Sequence, residues 1–242
     1  CRGTERHGMS GLLIAAPASG SGKTVVTLGL MRALRRRGIA IAPGKAGPDY
    51  IDPAFHAAAS GAACFNFDPW AMRPPYLKAQ AAQCADGGVL IIEAMMGLFD
   101  GAADGTGSAG DLAALLSLPV VLVVDCGRTS QSVAALVTGF SRFRADVQVA
   151  GVILNRVGSD RHEGMLRDAM AKTEVPVLGC LRSDAALSLP ERHLGLVQAG
   201  EHGALETFID RAADAIEAGV DLDRLMLLSG KEAGASGSEP VT

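Results

Sequence analysis

A glycine-rich segment followed by Lys-Thr lies near the start of the chain. Residues 17–24 read Pro-Ala-Ser-Gly-Ser-Gly-Lys-Thr, after a short apolar run (12–16) and before apolar residues at helical spacing (25–37). A strand, a glycine-rich loop and a helix in this order are typical of a phosphate-binding loop. In such a loop backbone N–H groups and the Lys23 ammonium bind phosphate, and the Thr24 hydroxyl holds Mg²⁺. The residues expected to contact the nucleotide phosphates are Ser19, Gly20, Ser21, Gly22, Lys23, Thr24 and Val25. Pro17 stands where the usual motif has glycine, and the loop by itself does not specify a reaction.

Two acidic residues end apolar runs and are candidates for metal binding. Glu93 follows Val-Leu-Ile-Ile, and Asp125 follows Val-Val-Leu-Val-Val. Mg²⁺ bound to a nucleotide usually takes one or two carboxylates besides a hydroxyl and phosphate oxygens. Glutamate is a poor helix cap, so Glu93 has less structural reason to stand at a strand end, whereas aspartate caps readily. Glu93 is therefore favoured, and Asp125 remains open as a ligand or a cap.

The segment 44–53 brings a lysine and two aspartates close together. A cation near the transferred phosphate and a second carboxylate facing the metal are what phosphoryl transfer needs, and Lys45 and Asp49 could supply them. Asp52 precedes a proline, so it could instead serve only as an N-cap. Asp100 lies in the long glycine-rich stretch 94–110, where it could bind substrate or make a turn; spacing does not decide.

The surrounding pattern predicts an α/β fold with a doubly wound, mostly parallel sheet, because apolar strands alternate with amphipathic helices. Predicted strands are 12–16, 39–43, 89–93, 119–125, 149–155 and 177–181. Predicted helices are 25–37, 54–60, 74–85, 111–116, 130–141, 161–171 and 203–218, and 64–70 is interpreted as irregular. In such sheets ligands bind beyond the carboxyl ends of the strands, here loops 17–24, 43–52, 93–101, 125–132 and 155–162.

Composition excludes several classes of function. A net charge of −4 argues against a general nucleic-acid binder or a basic membrane-surface protein. No apolar run approaches the roughly 20 residues of a membrane span. The five cysteines are scattered without metal-ligand spacing, and we interpret them as thiols of a cytoplasmic protein. The histidines show no zinc spacing.

Several motifs together resemble the cobyrinic (or hydrogenobyrinic) acid a,c-diamide synthases of cobalamin biosynthesis. They are Ala-Pro-Ala-Ser-Gly-Ser-Gly-Lys-Thr (16–24), Lys-Ala-Gly-Pro-Asp-Tyr-Ile-Asp-Pro-Ala-Phe-His (45–56), Met-Gly-Leu-Phe-Asp-Gly (96–101), Gly-Val-Ile-Leu-Asn-Arg-Val-Gly (151–158) and Leu-Pro-Glu-Arg-His-Leu-Gly-Leu-Val (189–197). The second and last motifs are far more specific than the phosphate loop. This family and the similar dethiobiotin synthetases use a modified loop, which accounts for Pro17. The resemblance implies a P-loop fold of the dethiobiotin-synthetase type.

The resemblance also implies a reaction. ATP would phosphorylate the c and then the a carboxylate of a corrin ring, and ammonia would displace phosphate from the acyl phosphate. By the same analogy Thr24, Asp49 and Glu93 would hold Mg²⁺, while Lys23 and Lys45 would stabilise phosphate charge. The remaining implied roles are support of the metal and substrate region (Asp52), positioning of the substrate carboxylate (Asp100), corrin contact (Tyr50, Ile51) and proximity to adenine (Asn155, Arg192, His193).

The chain departs from the family in places. Ala94-Met95 follows Glu93 where Gly-Val is common, and residues 180–184 lack the usual Pro-Arg-Asp, which puts a role for Arg182 in doubt. We expect a synthetase domain at 9–228 and a linker at 229–242 leading to an absent glutaminase domain, which would supply ammonia from glutamine. A homodimer is possible.

The sequence leaves alternative functions open. The runner-up is a nickel-sirohydrochlorin a,c-diamide synthase or a dethiobiotin-synthetase-like ligase. A nucleotide-switched partition or metallochaperone ATPase is the alternative from another class. Relatives of the division-site ATPases carry an extra lysine at the start of the loop, where this chain has Ala16 and Pro17.

Overall fold

Short apolar runs form the centre of a seven-stranded sheet in the computed structural model, which describes residues 9–187 and 202–230. The strands are β1 (Gly11–Ala15), β2 (Ile41–Ala46), β3 (Phe65–Phe67), β4 (Val89–Glu93), β5 (Val120–Asp125), β6 (Val149–Val157) and β7 (Val177–Arg182). Their order across the sheet is β3-β2-β4-β1-β5-β6-β7, and every neighbouring pair is parallel. Every residue of β1 and β4 is buried, because helices cover both faces of the sheet.

Two hydrophobic cores lie on opposite faces of this sheet. The helices are α1 (Lys23–Arg36), α2 (Asp52–Ser60), α3 (Pro74–Asp86), α4 (Ala109–Leu116), α5 (Ser132–Phe143), α6 (Asp160–Met170), α7 (His202–Gly219) and α8 (Leu222–Leu228), with a 3₁₀ turn at Ala185–Leu187. Helices α1, α2, α7 and α8 pack on the face that carries Ile14 and Ile91. Helices α3 to α6 pack on the face that carries Leu13 and Ile92. The predicted doubly wound α/β fold is confirmed, and its sheet is parallel throughout.

Three elements differ from the sequence prediction. Strand β2 runs to Ala46 rather than ending at residue 43, because its pairing with β4 and β3 continues that far. Strand β3 lies inside the segment interpreted as irregular; three residues are too few to show a period, and only pairing with β2 defines them. Helix α8 follows α7, where no helix was predicted.

The register of β2, β4 and β1 determines where the site lies. Glu93 pairs with Lys45 on β2 and with Ile14 on β1. Side chains alternate along a strand, so Glu93 projects from the same face as Ile91, towards α1 and α2. Strand β4 therefore lies beside β1 and places Glu93 next to the glycine-rich segment that follows β1.

The last described turn returns to the start of the sheet. The backbone N–H of Gly11 donates to the carbonyl of Ser229 at 3.0 Å, and Ser229 is buried. Within residues 9–187 and 202–230, no helix combines the length and the apolar character that crossing a membrane requires.

Candidate functional site

The glycine-rich loop joins β1 to α1, as the sequence predicts. Gly20 and Gly22 have φ values of 80° and 83°, a left-handed conformation that favours glycine. Glycine at position 22 also avoids a clash, since a Cβ there would lie 2.3 Å from Nδ2 of Asn155. Gly22 caps α1 without a side-chain hydrogen bond, so the first turn of the helix leaves backbone N–H groups for an anion.

Two residues at the end of β6 hold this loop in place. Asn155 Nδ2 donates to the carbonyl of Ser21 at 2.9 Å, and Arg156 Nη1 donates to the carbonyl of Gly20 at 2.9 Å. Arg156 also pairs with Asp125 at 2.6 Å and has a φ of 58°. The structure thus brings Asn155 to the phosphate loop through its amide. Arg156 was not selected from the sequence, although it follows Asn155 in the quoted motif.

Glu93 is the centre of a buried polar network beside the loop. Its Oε1 accepts hydrogen bonds from Thr24 Oγ1 at 2.7 Å and from Lys45 Nζ at 3.0 Å. Its Oε2 lies 2.6 Å from Nε2 of His56. The side chains of Glu93 and His56 are fully buried, and that of Lys45 is 4% exposed. Three predicted site residues, Thr24, Lys45 and Glu93, are therefore in direct contact.

The two aspartates of the 44–53 segment have different surroundings. Asp52 forms a close ion pair with Lys45 and is the first residue of α2, so the expectation that Asp52 serves as an N-cap is wrong. Asp49 shapes the turn instead, because its Oδ1 accepts the backbone N–H groups of Ile51 and Asp52 at 2.8 and 3.1 Å. Its other oxygen lies 3.8 Å from Lys45 Nζ.

Electrostatics at this network depend on burial and on the close charges. Burial alone would raise the pKa of Glu93, but Lys45 and His56 reverse this and hold it far below its ordinary value. Burial opposes charge on Lys45, yet Glu93 and Asp52 outweigh it, so the pKa of Lys45 is raised. Burial and the Glu93 charge raise the pKa of Asp52, which competes with Glu93 for one ammonium. Burial lowers the pKa of Lys23, with Lys45 adding to this and Glu93 opposing it.

The loop after β4 packs against the phosphate loop. The N–H of Leu98 donates to the carbonyl of Ala16 at 2.9 Å, and a Cβ at Gly97 would lie 2.6 Å from the carbonyl of Pro17. Asp100 Oδ2 accepts the N–H of Gly97 at 2.9 Å. Asp100 therefore lies on a loop that contacts the phosphate site, and it shapes the turn there.

Exposed apolar side chains lie on loops at the same edge of the sheet. Tyr50 is 91% exposed and Ile51 40%, both after β2. Trp70, after β3, is 68% exposed and packs on Gly107, while Met96, after β4, is 39% exposed. Of these, sequence reasoning selected only Tyr50 and Ile51.

The remaining sequence candidates are placed as follows. Asp125 accepts the backbone N–H of Gly127 through Oδ1 and pairs with Arg156 through Oδ2. Both of its oxygens therefore have partners in the turn after β5. Arg192 and His193 lie outside the described residues.

His56 is a site residue that the sequence analysis did not identify. The available signal was its spacing of four residues from Asp52, which places both side chains on one face of α2.

The donor set fits a hard cation. Oxygen atoms of Thr24 and Glu93 lie 2.7 Å apart at the start of α1, and hydroxyl and carboxylate oxygens are the ligands that Mg²⁺ prefers. Among the described residues no group of three or more His, Cys, Asp and Glu side chains is arranged to hold a metal ion. A site built here would therefore combine one or two protein carboxylates with the Thr24 hydroxyl and phosphate oxygens.

Curated relatives of high similarity carry one description. The hydrogenobyrinate a,c-diamide synthase of Rhizobium meliloti (strain 1021) is 74% identical over 219 residues, which are 90% of this chain and 51% of that protein. The synthase of the same description from Rhodobacter capsulatus is 53% identical over 228 residues, 93% of this chain and 52% of that protein. The chain spans about half the length of the curated relatives it matches.

Solved structures with similar folds are distant in sequence. Signal recognition particle receptor FtsY from Elizabethkingia anophelis has a TM-score of 0.55 and 15% identity, covering 85% of this chain and 68% of that chain. Chloroplast FtsY from Physcomitrella patens has a TM-score of 0.54 and 17% identity, covering 84% of this chain and 65% of that chain. At these identities the likeness shows the fold alone.

A family model matches most of the chain. Residues 12–197 match the family described as "CobQ/CobB/MinD/ParA nucleotide binding domain". The matched range contains the phosphate loop, Lys45, Glu93 and both residues of β6 that hold the loop. The chain therefore belongs to the CobQ/CobB/MinD/ParA nucleotide binding domain family.

Proposed function

We propose that this chain is the ATP-dependent part of an a,c-diamide synthase acting on hydrogenobyrinic or cobyrinic acid. The observation that carries the proposal is the contact of Lys45, Glu93 and Thr24 next to the phosphate loop, a cation, a carboxylate and a hydroxyl at the place where phosphoryl transfer needs them. The curated relatives described as hydrogenobyrinate a,c-diamide synthases support the same substrate class.

The reaction would proceed in two steps. An oxygen of a peripheral carboxylate attacks the γ-phosphorus of ATP, the bond from that phosphorus to ADP breaks, and an acyl phosphate forms. Ammonia then attacks the acyl carbon, phosphate leaves, and loss of a proton from nitrogen gives the amide. Phosphorylation is needed because a carboxylate is a poor electrophile and has no good leaving group.

Each polar side chain of the network has a proposed role. Lys23 and Lys45 neutralise charge that builds on the transferred phosphoryl group, since both ammonium groups are buried where electrostatic interactions are strong. Thr24 and Glu93, with Asp49, hold Mg²⁺, which when bound supplies further neutralisation of phosphate charge. Asp52 keeps Lys45 in position through their ion pair.

The substrate would enter over the exposed apolar loops. Tyr50 and Ile51 stand beside Asp49 and Asp52, so a macrocycle resting on them brings its edge carboxylates towards Lys45. Asp100 would position the reacting carboxylate from the loop after β4. Asn155 would lie near the adenine while it holds the phosphate loop. Ammonia would come from a glutaminase segment, as the family resemblance implies, or from solution.

The test is a reconstitution with the purified 242-residue chain. We expect ADP and an amide product, identified by mass spectrometry, when ATP, Mg²⁺, ammonium and hydrogenobyrinic acid are all present. Omitting the acid should abolish most ADP formation. ADP release at the same rate without the acid, and without amide, would instead support a nucleotide-switched ATPase.

Two comparisons refine the substrate. Running the assay with cobyrinic acid in place of the metal-free acid shows whether the ring must contain cobalt. Nickel-sirohydrochlorin and the biotin precursor serve as competitors for the ligase alternatives, and faster amide or ring formation with either one would overturn the corrin assignment.

A further inference from the structure

His56 contacts the carboxylate that we assign to Mg²⁺. Its Nε2 lies 2.6 Å from Glu93 Oε2, and both side chains are fully buried. The other oxygen, Oε1, accepts from Thr24 and Lys45. The two Glu93 oxygens therefore have separate partners, and within residues 9–187 and 202–230 the partner of Oε2 is His56.

We propose that His56 is a positioning residue that fixes the Glu93 carboxylate so that Oε1 faces Thr24 and the metal position. This inference rests on the proposed function, in which Glu93 holds Mg²⁺. A carboxylate held at one oxygen by an imidazole N–H cannot rotate without breaking that hydrogen bond. Such support of a metal ligand changes metal affinity without touching the metal.

The far side of the ring contacts a thiol. Cys64 Sγ lies 3.7 Å from His56 Nδ1. Burial, with a contribution from the Glu93 charge, raises the pKa of Cys64 to about 12, so the thiol keeps its hydrogen, and the carbonyl of Phe65 lies within its reach at 4.0 Å. Glu93 is ionised, and an ionised carboxylate only accepts hydrogen bonds, so Nε2 carries a ring hydrogen and donates it to Oε2.

The backbone of α2 holds the ring at this place. Ser60 Oγ donates to the carbonyl of His56 at 2.8 Å, one turn further along the helix. Asp52, one turn earlier, pairs with Lys45. The helix α2 thus presents two side chains to the network, and Ser60 stabilises the same turn without contacting Glu93.

The test measures metal binding rather than turnover. Mn²⁺ is titrated into the 242-residue chain saturated with a non-hydrolysable ATP analogue, and free Mn²⁺ is followed by electron paramagnetic resonance. Affinity for the analogue without metal is measured in parallel by calorimetry. The variants are His56→Leu, which removes the donor, and His56→Gln, whose amide nitrogen replaces Nε2. Ser60→Ala is the matched control on the same helix, and Glu93→Gln is the reference for loss of the ligand.

We expect His56→Leu to weaken Mn²⁺ binding by about 10–100-fold, the range typical for a residue that supports a metal ligand. Metal-free affinity for the analogue should change by less than about twofold, because the backbone N–H groups of the phosphate loop and Lys23 bind phosphate without a contact to His56. His56→Gln should recover most of the loss, and Ser60→Ala should bind Mn²⁺ as the unchanged chain does.

Several outcomes would overturn the proposal. Wild-type Mn²⁺ affinity in His56→Leu, together with loss in Glu93→Gln, refutes the role of His56 and leaves the proposed function standing. Unchanged affinity in Glu93→Gln refutes the metal role of Glu93 and the inference with it. Equal losses in His56→Gln and His56→Leu, or an equal loss in Ser60→Ala, show that helix packing rather than the hydrogen bond is responsible. If His56→Leu does not fold, His56→Asn, whose amide is too short to reach Oε2, takes its place.

Discussion

Glu93 connects groups that lie far apart in the sequence. It contacts Thr24 at the start of α1, Lys45 at the end of β2 and His56 on α2. Because the carboxylate is fully buried, its charge is tolerated only where cations and donors surround it. Among the described residues, every buried side-chain nitrogen and oxygen has a hydrogen-bond partner, so the network is complete. At the scale of single residues, site chemistry and stability are therefore linked.

We expect substitutions at two residues to distinguish nucleotide binding from substrate positioning. We expect Lys23→Ala to weaken ATP binding by about 10–100-fold, since a hydrogen bond to a charged group contributes roughly 1.5–3 kcal/mol. Asp100→Ala should keep ATP affinity within about threefold and lower amide formation, because its carboxylate shapes a loop next to the phosphate loop. Calorimetry with an ATP analogue and the amidation assay measure the two effects. Lys78→Ala, an exposed lysine on α3, is the control. Equal losses of ATP affinity in Lys23→Ala and Asp100→Ala would contradict this division.

The depressed pKa of Glu93 predicts how stability depends on pH. The pKa in the folded protein lies below the ordinary value of 4.5, so ionised Glu93 favours the folded state above that pH. This contribution is lost as pH falls from 4.5 through the folded pKa. Asp52 acts in the opposite sense, because its pKa in the folded protein is raised above 3.8. Ionised Asp52 therefore disfavours the folded state, and this unfavourable contribution disappears when Asp52 is protonated at lower pH.

Glu93→Gln should therefore lower the free energy of unfolding at neutral pH and flatten its acid dependence. We expect a loss of about 3 kcal/mol near pH 7, because Lys45 and His56 lose their buried partner. The measurement is urea denaturation at about pH 7, 5 and 4, compared with Glu163→Gln, whose carboxylate pairs at the surface. The same decline below pH 4.5 in both the wild-type chain and Glu93→Gln would rule out Glu93 as its source.

At the scale of elements, a buried arginine joins three helices on one face of the sheet. Arg32 on α1 donates to the carbonyls of Ala58 and Ala59 on α2 and pairs with Glu206 and Asp210 on α7, both at 2.7 Å. Its side chain is 10% exposed, whereas the two carboxylates are 49% and 44% exposed. The hydrogen bonds to α2 matter for the site, since α2 carries Asp52 and His56.

We expect Arg32→Ala to lower the free energy of unfolding by about 2–3 kcal/mol, because two helix carbonyls lose their donor and a buried stem leaves a cavity. Arg36→Ala should cost about 1 kcal/mol or less, since that side chain is one-third exposed and its ion pairs are screened by solvent. Denaturant titrations of both variants provide the comparison. Equal effects would mean that the ion pairs to α7, which both arginines make, are the dominant contribution.

At the scale of the whole molecule, the site depends on elements from most of the sheet. Strands β2 and β4 supply Lys45 and Glu93 of the charged network, and β1 leads into the phosphate loop. Strand β6 supplies the two residues that hold this loop. A ligand that binds there contacts the ends of several strands at once. Binding is therefore coupled to the folded state of the entire domain.

We expect an ATP analogue with Mg²⁺ at about 100 times its dissociation constant to raise the melting temperature by about 5–10 °C. Lys23→Ala under the same conditions should show about half that shift or less, because its affinity is about 10–100-fold weaker and the analogue is then at only about 1–10 times the dissociation constant of the variant. Differential scanning calorimetry measures both. A shift of the same size in Lys23→Ala would show that the analogue binds elsewhere.

The sequence by itself determined the fold class and one side of the site. Continuous apolar runs predict strands buried on both faces, and the glycine-rich loop with Lys23 and Thr24 predicts a phosphate site, because these signals are local. The end of a buried strand also identified Glu93. The segment 44–53 identified Lys45 and Asp49 as candidates, and the family resemblance gave each of them a role.

Only the tertiary structure decided which of these side chains touch. Lys45 lies on β2 rather than in a loop, Asp52 pairs with it instead of capping α2, and His56 reaches Glu93. The amide of Asn155 and the side chain of Arg156 contact the phosphate loop across 134 and 136 residues of sequence. The physical reason is that strand register and helix packing bring these groups together over long sequence distances, and local spacing carries no information about that pairing.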